Sequence, residues 1–298
     1  MNTTYHAVQV PSIWATGQLQ ARSQRGTRYT RLSLEHPARM LPAIARTAVE
    51  YFTRPGEVVL DPMCGIGTTL AEAVHLDRDA VGIELESKWA SIARLNLDAA
   101  AAQGASGAGE VHTGEASLTA AGLAHAAEHR KASLLLTSPP YGAMTHGQVR
   151  TARDGATAVD KHAHRYGRTR LRANLAHQPL AELLASFTAI LAACRGLLEP
   201  GAHVVITTRP FRTKGVLVDF PGRVMDAAAE AGLEPVGRCA ALMCALREEG
   251  VVRRTSFFQS IETARQRRLG LPAHVVQHED ALILQNPGSH QGEEGASC

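Results

Sequence analysis

The sequence predicts an α/β fold: a mostly parallel sheet with helices on both faces. Three observations predict it. Short apolar runs bounded by Gly and Pro alternate with longer stretches of helical periodicity along most of the chain. A glycine-rich turn, Met63 to Thr69, separates one such run from a helical stretch, as in strand-to-helix turns that meet ligands. And Leu134-Leu135-Leu136 reads as a buried strand that must stop at Pro139-Pro140, which cannot donate ladder hydrogen bonds. An apolar share of 45% in 298 residues supplies a sizeable core.

The elements follow in order. Residues 1–35 have weak periodicity and read as an irregular basic arm. In 36–53, Leu41, Ile44, Ala45, Val49 and Phe52 form one helical face, and Pro55-Gly56 ends that helix. A strand over 57–62, the glycine turn and a helix over 70–77 come next. A strand at 79–86 leads to a helix at 87–102 with Ser87 as its cap. After a loop, strands are expected at 110–117 and 134–137. A helix over 179–198, broken by Pro200-Gly201, precedes a strand at 202–209. A helix at 216–232 and strands at 234–246 and 281–285 complete seven strands. The expected organisation is a single domain over 36–286 with an insertion at 142–178, then a flexible Gly/Ser/Glu tail over 287–298. His278-Glu279-Asp280, just before the last strand, reads either as a plain turn or as part of a pocket beside Tyr141.

Cysteines at 64, 194, 239, 244 and 298 have no CxxC spacing, so reduced thiols and no metal site are expected. Neither a signal peptide nor a membrane span is expected, and the chain reads as cytoplasmic. The net charge of +3 is unevenly spread. Residues 142–178 carry one Lys and six Arg against two Asp, and the first 35 residues carry Arg22, Arg25, Arg28 and Arg31 against Glu35. Each segment is either a solvated face or an electrostatic footprint for phosphates.

The chemistry concentrates at strand ends. Asp61 stands at a strand tip before the glycine turn, where a carboxylate can take up the amino group of an amino-acid-like ligand. No GK[ST] follows Gly67, so the turn is not a phosphate-binding P-loop. Glu84, roughly 20 residues on, can accept both hydroxyls of a ribose. Glu115 can meet an adenine amino group. Ser138 to Tyr141 form a stiff corner at the carboxyl end of a strand, where open α/β sheets place ligands.

The segments LDPMCGIGTT, GIELE, TGEAS and TSPPYG, in this order, resemble the motifs of class I S-adenosylmethionine-dependent methyltransferases. More narrowly, they resemble the amino-methyltransferases that act on exocyclic nitrogens of nucleic-acid bases. HPARMLP, with His36 and Pro37, is similar to the segment covering the methionine end of the cofactor. The resemblance implies a Rossmann-like fold and S-adenosylmethionine as cofactor. It implies that Asp61, Gly65 and Gly67 hold the methionine part, Glu84 the ribose and Glu115 the adenine, with Pro62, Cys64, Thr68, Thr69 and Ala116 also among the cofactor-binding residues. Glu115 departs from the family's usual Asp. Ser138, Pro139, Pro140 and Tyr141 would be the catalytic corner.

Such a corner suits the chemistry. An amino group conjugated to a base ring is a poor nucleophile, and acceptors aimed at its hydrogens release its lone pair toward a methyl sulfonium. Ser138 Oγ and the Pro139 carbonyl are such acceptors, fixed in advance by the prolines. Tyr141 offers a ring on which an extruded base can stack. No Pro-Cys pair supports covalent catalysis. In this family a leading Ser is associated with cytosine N4, which favours cytosine in DNA; adenine N6 or tRNA guanine N2 are the alternatives. An inactive nucleic-acid-binding module would have no need of all these residues, and in a small-molecule methyltransferase the Ser-Pro-Pro-Tyr corner and the basic flanking segment would be coincidental. Arg150, Arg165, Arg168, Arg170 and Arg172 are the candidates for phosphate contacts. With so short a recognition region, help from homodimerisation is a further expectation.

Overall fold

The computed structural model describes residues 10–126, 130–141, 148–150, 160–162, 174–213, 215–254 and 257–287. In chain order the strands are β1 (Ile13–Trp14), β2 (Val58–Asp61), β3 (Asp79–Glu84), β4 (Gly109–Thr113), β5 (Ala132–Thr137), β6 (Gln148–Arg150) and β7 (Asp160–His162). They continue with β8 (Leu198–Thr208), β9 (Phe211–Thr213), β10 (Val216–Val218), β11 (Glu234–Leu242), β12 (Ala245–Arg247), β13 (Gly250–Val252) and β14 (His278–Gln285). The helices are α1 (Ala21–Arg25), α2 (Pro42–Phe52), α3 (Thr68–Val74), α4 (Ser87–Ala102), α5 (Ala116–His125), α6 (Leu180–Cys194), α7 (Phe220–Glu230) and α8 (Phe257–Arg268).

The main sheet has the order β1-β11-β14-β8-β5-β2-β3-β4. From β2 the chain winds outward through β3 and β4, then crosses back to place β5 on the other side of β2. The crevice between the carboxyl ends of β2 and β5 is therefore the topological switch point, the expected ligand site of such a sheet. β14 runs antiparallel between β8 and β11, so its first residues lie at the edge where the parallel strands end.

Side chains alternate across β5, and the two faces feed separate cores. Leu135 packs with Phe187, Ile190, Leu191 and Phe220 in the layer of α5, α6 and α7. Leu134 and Leu136 pack with Ile44, Val49, Leu70 and Ala93 in the layer of α2, α3 and α4. The run of three leucines is thus explained by a strand covered on both sides. Residues 180–197 are long and apolar enough to cross a membrane by composition, with a mean hydropathy of 1.5. Leu183, Phe187, Ile190, Leu191 and Cys194 of that segment are buried in the core.

Several expectations are corrected. Residues 10–35 are no loose arm. β1 adds a parallel eighth strand on β11, and Trp14 is fully buried against Tyr51 and Phe52. The side chain of Glu72, 0% exposed, accepts from Arg46 (2.8 Å), Arg28 (3.1 Å) and the Tyr29 hydroxyl (2.7 Å). Arg25 is itself buried and donates to the Met40 carbonyl at 2.6 Å. Two of the four arm arginines are therefore turned to internal partners rather than to phosphates. The strand expected to 117 ends at Thr113 and α5 follows, capped by Glu115 rather than by one of the usual Ser, Thr, Asp or Asn caps. The helix expected from 216 starts only at Phe220, where Asp219 caps it; Val216–Val218 pair with β9 instead. The strand expected over 234–246 stops at Leu242.

Candidate active site

One cavity of about 550 Å³ opens at the carboxyl ends of β2, β3, β5 and β8. Its wall includes His36, Pro37, Asp61, Pro62, Cys64, Gly65, Thr68, Thr69, Glu84, Glu115, Ala116 and the whole stretch Ser138 to Tyr141. Of the sequence-predicted residues outside the basic segment, Gly67 is not on that wall. It adopts φ +75°, and a Cβ there would come within 3.0 Å of Ala93, so its role is to let α3 pack close to α4.

Asp61 is buried at the tip of β2. Its Oδ1 accepts from the Met63 amide (3.1 Å) and from the Thr137 hydroxyl (2.9 Å), which ties the β2 and β5 tips together across the switch point. Among the described residues no cation pairs with it, and burial pushes its carboxyl up to about 6. Glu84 holds the glycine turn in shape. Its two oxygens accept from the Gly65 and Glu86 amides at 2.8 Å each. Burial raises it to about 7 against those bonds. A carboxylate has about four lone-pair sites, so acceptor capacity remains for a ribose diol.

Gly65 sits at φ +54° directly under His36, whose Nε2 would lie 3.3 Å from an added Cβ. The His36 ring packs edge-on against Trp89 at 4.7 Å, and burial pushes its pKa down to about 4. A neutral imidazole therefore roofs the turn. Glu115 is more committed than the sequence reading had it: it accepts from the Ser117 amide (3.0 Å), the Ser117 hydroxyl (2.7 Å) and the Leu118 amide (2.8 Å). Burial works to raise its pKa, and these bonds overcome that and hold it below the usual range. Its carboxylate caps α5 first and faces the cavity second.

At the corner, Pro139 is buried and Ser138 is exposed. The Tyr141 ring lies against Phe220 (5.4 Å) and edge-on to Phe211 (6.1 Å), with the Arg209 guanidinium 5.6 Å over its face. Cys64 is buried and its thiol is pushed well above its ordinary pKa, by burial first and by Glu84 and Asp61 next, so it offers no thiolate. Among the described residues no group of three or more His, Cys, Asp or Glu is arranged to hold a metal ion.

The structure adds wall residues that the sequence reading did not assign: Arg39, Glu86, Asn174, Arg209 and Met243. Asn174 donates to Glu86 at 3.2 Å and accepts from the Ala176 amide at 3.0 Å, so it braces the wall beside Glu86. Nothing in its local sequence marks it. Of His278-Glu279-Asp280, which open β14 instead of forming a turn, Glu279 alone reaches the cavity. Asp280 accepts from Arg238 at 2.9 Å. Arg165, Arg168, Arg170 and Arg172 lie outside the described residues, as does the Arg150 side chain.

Residues 4–95 match the family model N6_N4_Mtase, described as DNA methylase. The chain is 50% identical over 55 residues to the type II methyltransferase M.SmaI of Serratia marcescens, covering 18% of this chain and 19% of that protein. It is 38% identical over 64 residues to the tRNA (guanine(10)-N2)-dimethyltransferase of Methanocaldococcus jannaschii, covering 21% of this chain and 18% of that one. It is 32% identical over 93 residues to the type II methyltransferase M.HinfI of Haemophilus influenzae, covering 30% and 24%. The matches thus span a quarter or less of the length of each of these relatives. The glycine turn, Glu84 and the Ser-Pro-Pro-Tyr corner thus share one cavity wall in a chain whose first third is similar to DNA methylases and which has shorter stretches similar to DNA and tRNA methyltransferases.

Proposed function

We propose that this chain methylates an exocyclic amino group of a nucleic-acid base by direct transfer, with cytosine N4 in DNA as the target. The observation that carries the reading is the meeting, on one wall, of Asp61 and Glu84 with Ser138-Pro139-Pro140-Tyr141. The wall fits S-adenosylmethionine. Asp61 is a buried carboxylate with no paired cation among the described residues, suited to an ammonium. Glu84 has acceptor sites left for a diol, and the turn at Gly65 leaves no Cβ between the backbone and a ligand. When bound, S-adenosylmethionine supplies a methyl group on a cationic sulfur.

The chain's own residues do the rest. Ser138 Oγ and the Pro139 carbonyl accept hydrogens of the target amino group and direct its lone pair toward the methyl group. The corner is stiff before substrate arrives, because both prolines fix the backbone and Tyr141 is wedged against Phe211 and Phe220. The Thr137–Asp61 hydrogen bond keeps this corner in register with the cofactor-side carboxylates. Leading Ser rather than Asp or Asn supports cytosine. The similarity to a tRNA guanine-N2 dimethyltransferase supports RNA as the second reading.

The test incubates the protein and radiolabelled S-adenosylmethionine with unmethylated genomic DNA or with bulk tRNA, then identifies the labelled nucleoside. N4-methylcytosine from DNA, reduced about 10- to 100-fold in Ser138→Ala, is the expected result. Label in N6-methyladenine overturns the choice of base, and label in tRNA guanine overturns the choice of polymer. No label in any polymer despite cofactor binding leaves a binding module.

A further inference from the structure

Beyond the cofactor-side residues and the Ser138–Tyr141 corner, the cavity wall carries Arg209, Met243 and Glu279. Topology brings the two charged ones together. Arg209 directly follows the end of β8, and Glu279 is the second residue of β14, with Asp280 paired to Thr208 in the ladder. Because β14 is antiparallel to β8, its start lies beside the end of β8. Alternation along the strand turns Glu279 away from His278 and Asp280, whose own contacts are with each other and Arg238. The Arg209 guanidinium stands over the Tyr141 ring at 5.6 Å, and its charge opposes the rise that burial imposes on the Glu279 carboxyl. An acceptor and a set of donors therefore line the same cavity from neighbouring strand ends, the donors over the aromatic ring of the corner.

We propose that Glu279 and Arg209 read the Watson–Crick edge of the base being methylated, Arg209 donating to the ring acceptor beside the amino group and Glu279 accepting, in a three-centre bond shared with the Ser138–Pro139 corner, the amino hydrogen nearest that acceptor. The inference rests on the function proposed above and sharpens its substrate. Cytosine presents its N4 amino donor followed by the N3 and O2 acceptors, and adenine its N6 donor followed by N1. A carboxylate beside a guanidinium complements that order. Guanine presents N1–H next to its N2 amino group, which sets a donor against Arg209. The pair thus selects cytosine or adenine over guanine N2. A base stacking on Tyr141 takes the place of the guanidinium over the ring and moves it to the edge of that base, where its donors are needed. Enzymes that act on single bases commonly read the extruded base by its Watson–Crick edge.

The test compares the wild-type chain with Glu279→Ala and Arg209→Ala, using oligonucleotides that carry cytosine or 3-deazacytosine at the position the wild-type chain methylates. Cofactor affinity is measured by calorimetry alongside. Both variants should bind S-adenosylmethionine within about twofold of wild type and lose about 10- to 100-fold in kcat/KM on cytosine, the effect of one lost buried hydrogen bond. On 3-deazacytosine, which lacks the ring acceptor, Arg209→Ala should be no slower than wild type. Wild-type rates in either variant, or losses that track cofactor affinity, overturn the inference and leave the proposed function standing. So does an Arg209→Ala defect of equal size on both bases. A wild-type chain that methylates no polymer removes the proposed function and this inference together.

Discussion

The two halves of the cavity are built differently. On the cofactor side, Asp61 and Glu84 come from adjacent parallel strands, and both hold the glycine turn that follows Asp61, Asp61 through the Met63 amide and Glu84 through the Gly65 amide. On the acceptor side, Ser138, Arg209 and Glu279 come from three strands far apart in sequence, one of them antiparallel. The first half is local in sequence and dense in backbone hydrogen bonds; the second is assembled only by the sheet. Under the proposed function, that contrast makes affinity for the cofactor and choice of the base separable, with the Thr137–Asp61 bond as their point of contact.

The largest effect that could break this separation is at Asp61. Asp61→Asn should weaken S-adenosylmethionine binding by about 100-fold, the scale expected when one charge of a buried pair is removed. Calorimetry measures this directly. If affinity is unchanged and only kcat falls, Asp61 belongs to the acceptor side and the division is wrong.

The same division explains what was legible in the sequence. The glycine turn, Glu84 and the Ser-Pro-Pro-Tyr corner each lie within a few residues of a strand tip, so periodicity and turn chemistry reveal them. The positions of Arg209 and Asn174 depend on Tyr141 and Glu86, 68 and 88 residues away, and no local signal marks them. Glu279 was visible only as one of two readings of a polar triplet. The opening segment misled for a similar reason: Trp14, Arg25 and Tyr29 are buried by contacts with α2 and α3, which weak periodicity does not reveal. Glu115 shows a subtler limit. Its place at a strand end was readable, but its work as a helix cap was not, since Glu is an uncommon cap.

A smaller effect, of pH, sharpens the comparison. Burial raises Asp61 to about 6 and Glu84 to about 7, above the ordinary 3.8 and 4.5. The native chain thus holds these protons more tightly than the unfolded chain does. The stability they contribute is fully present below about pH 4 and is lost as pH rises through 6 to 7. Binding of a cationic cofactor runs the other way, because it needs both carboxylates ionised. Affinity for S-adenosylmethionine should rise on the order of tenfold from about pH 6 to 7.5, and Glu84→Gln should leave a single step near 6. A flat profile in the wild-type chain would mean that neither carboxylate faces the cofactor's charge.

The smallest expected effect is at Cys64, which shares the cavity wall with both halves yet should matter to neither. Its thiol lies against Gly82, where an added Cβ would come within 2.9 Å of Sγ, and its amide donates to the Ile83 carbonyl at 3.0 Å. These contacts fix the glycine turn on β3. The thiol's pKa is driven well up by burial and by the neighbouring carboxyls, so no thiolate forms near neutral pH. Cys64→Ala should cost about 1 kcal/mol of stability for a small loss of buried volume. Methyl transfer should stay within about threefold of wild type, because Ala keeps the backbone bond that shapes the turn. A variant that binds S-adenosylmethionine normally but transfers no methyl group would show that a cysteine takes part in bond-making, and direct attack by the amino group at the Ser138 corner would then be the wrong chemistry.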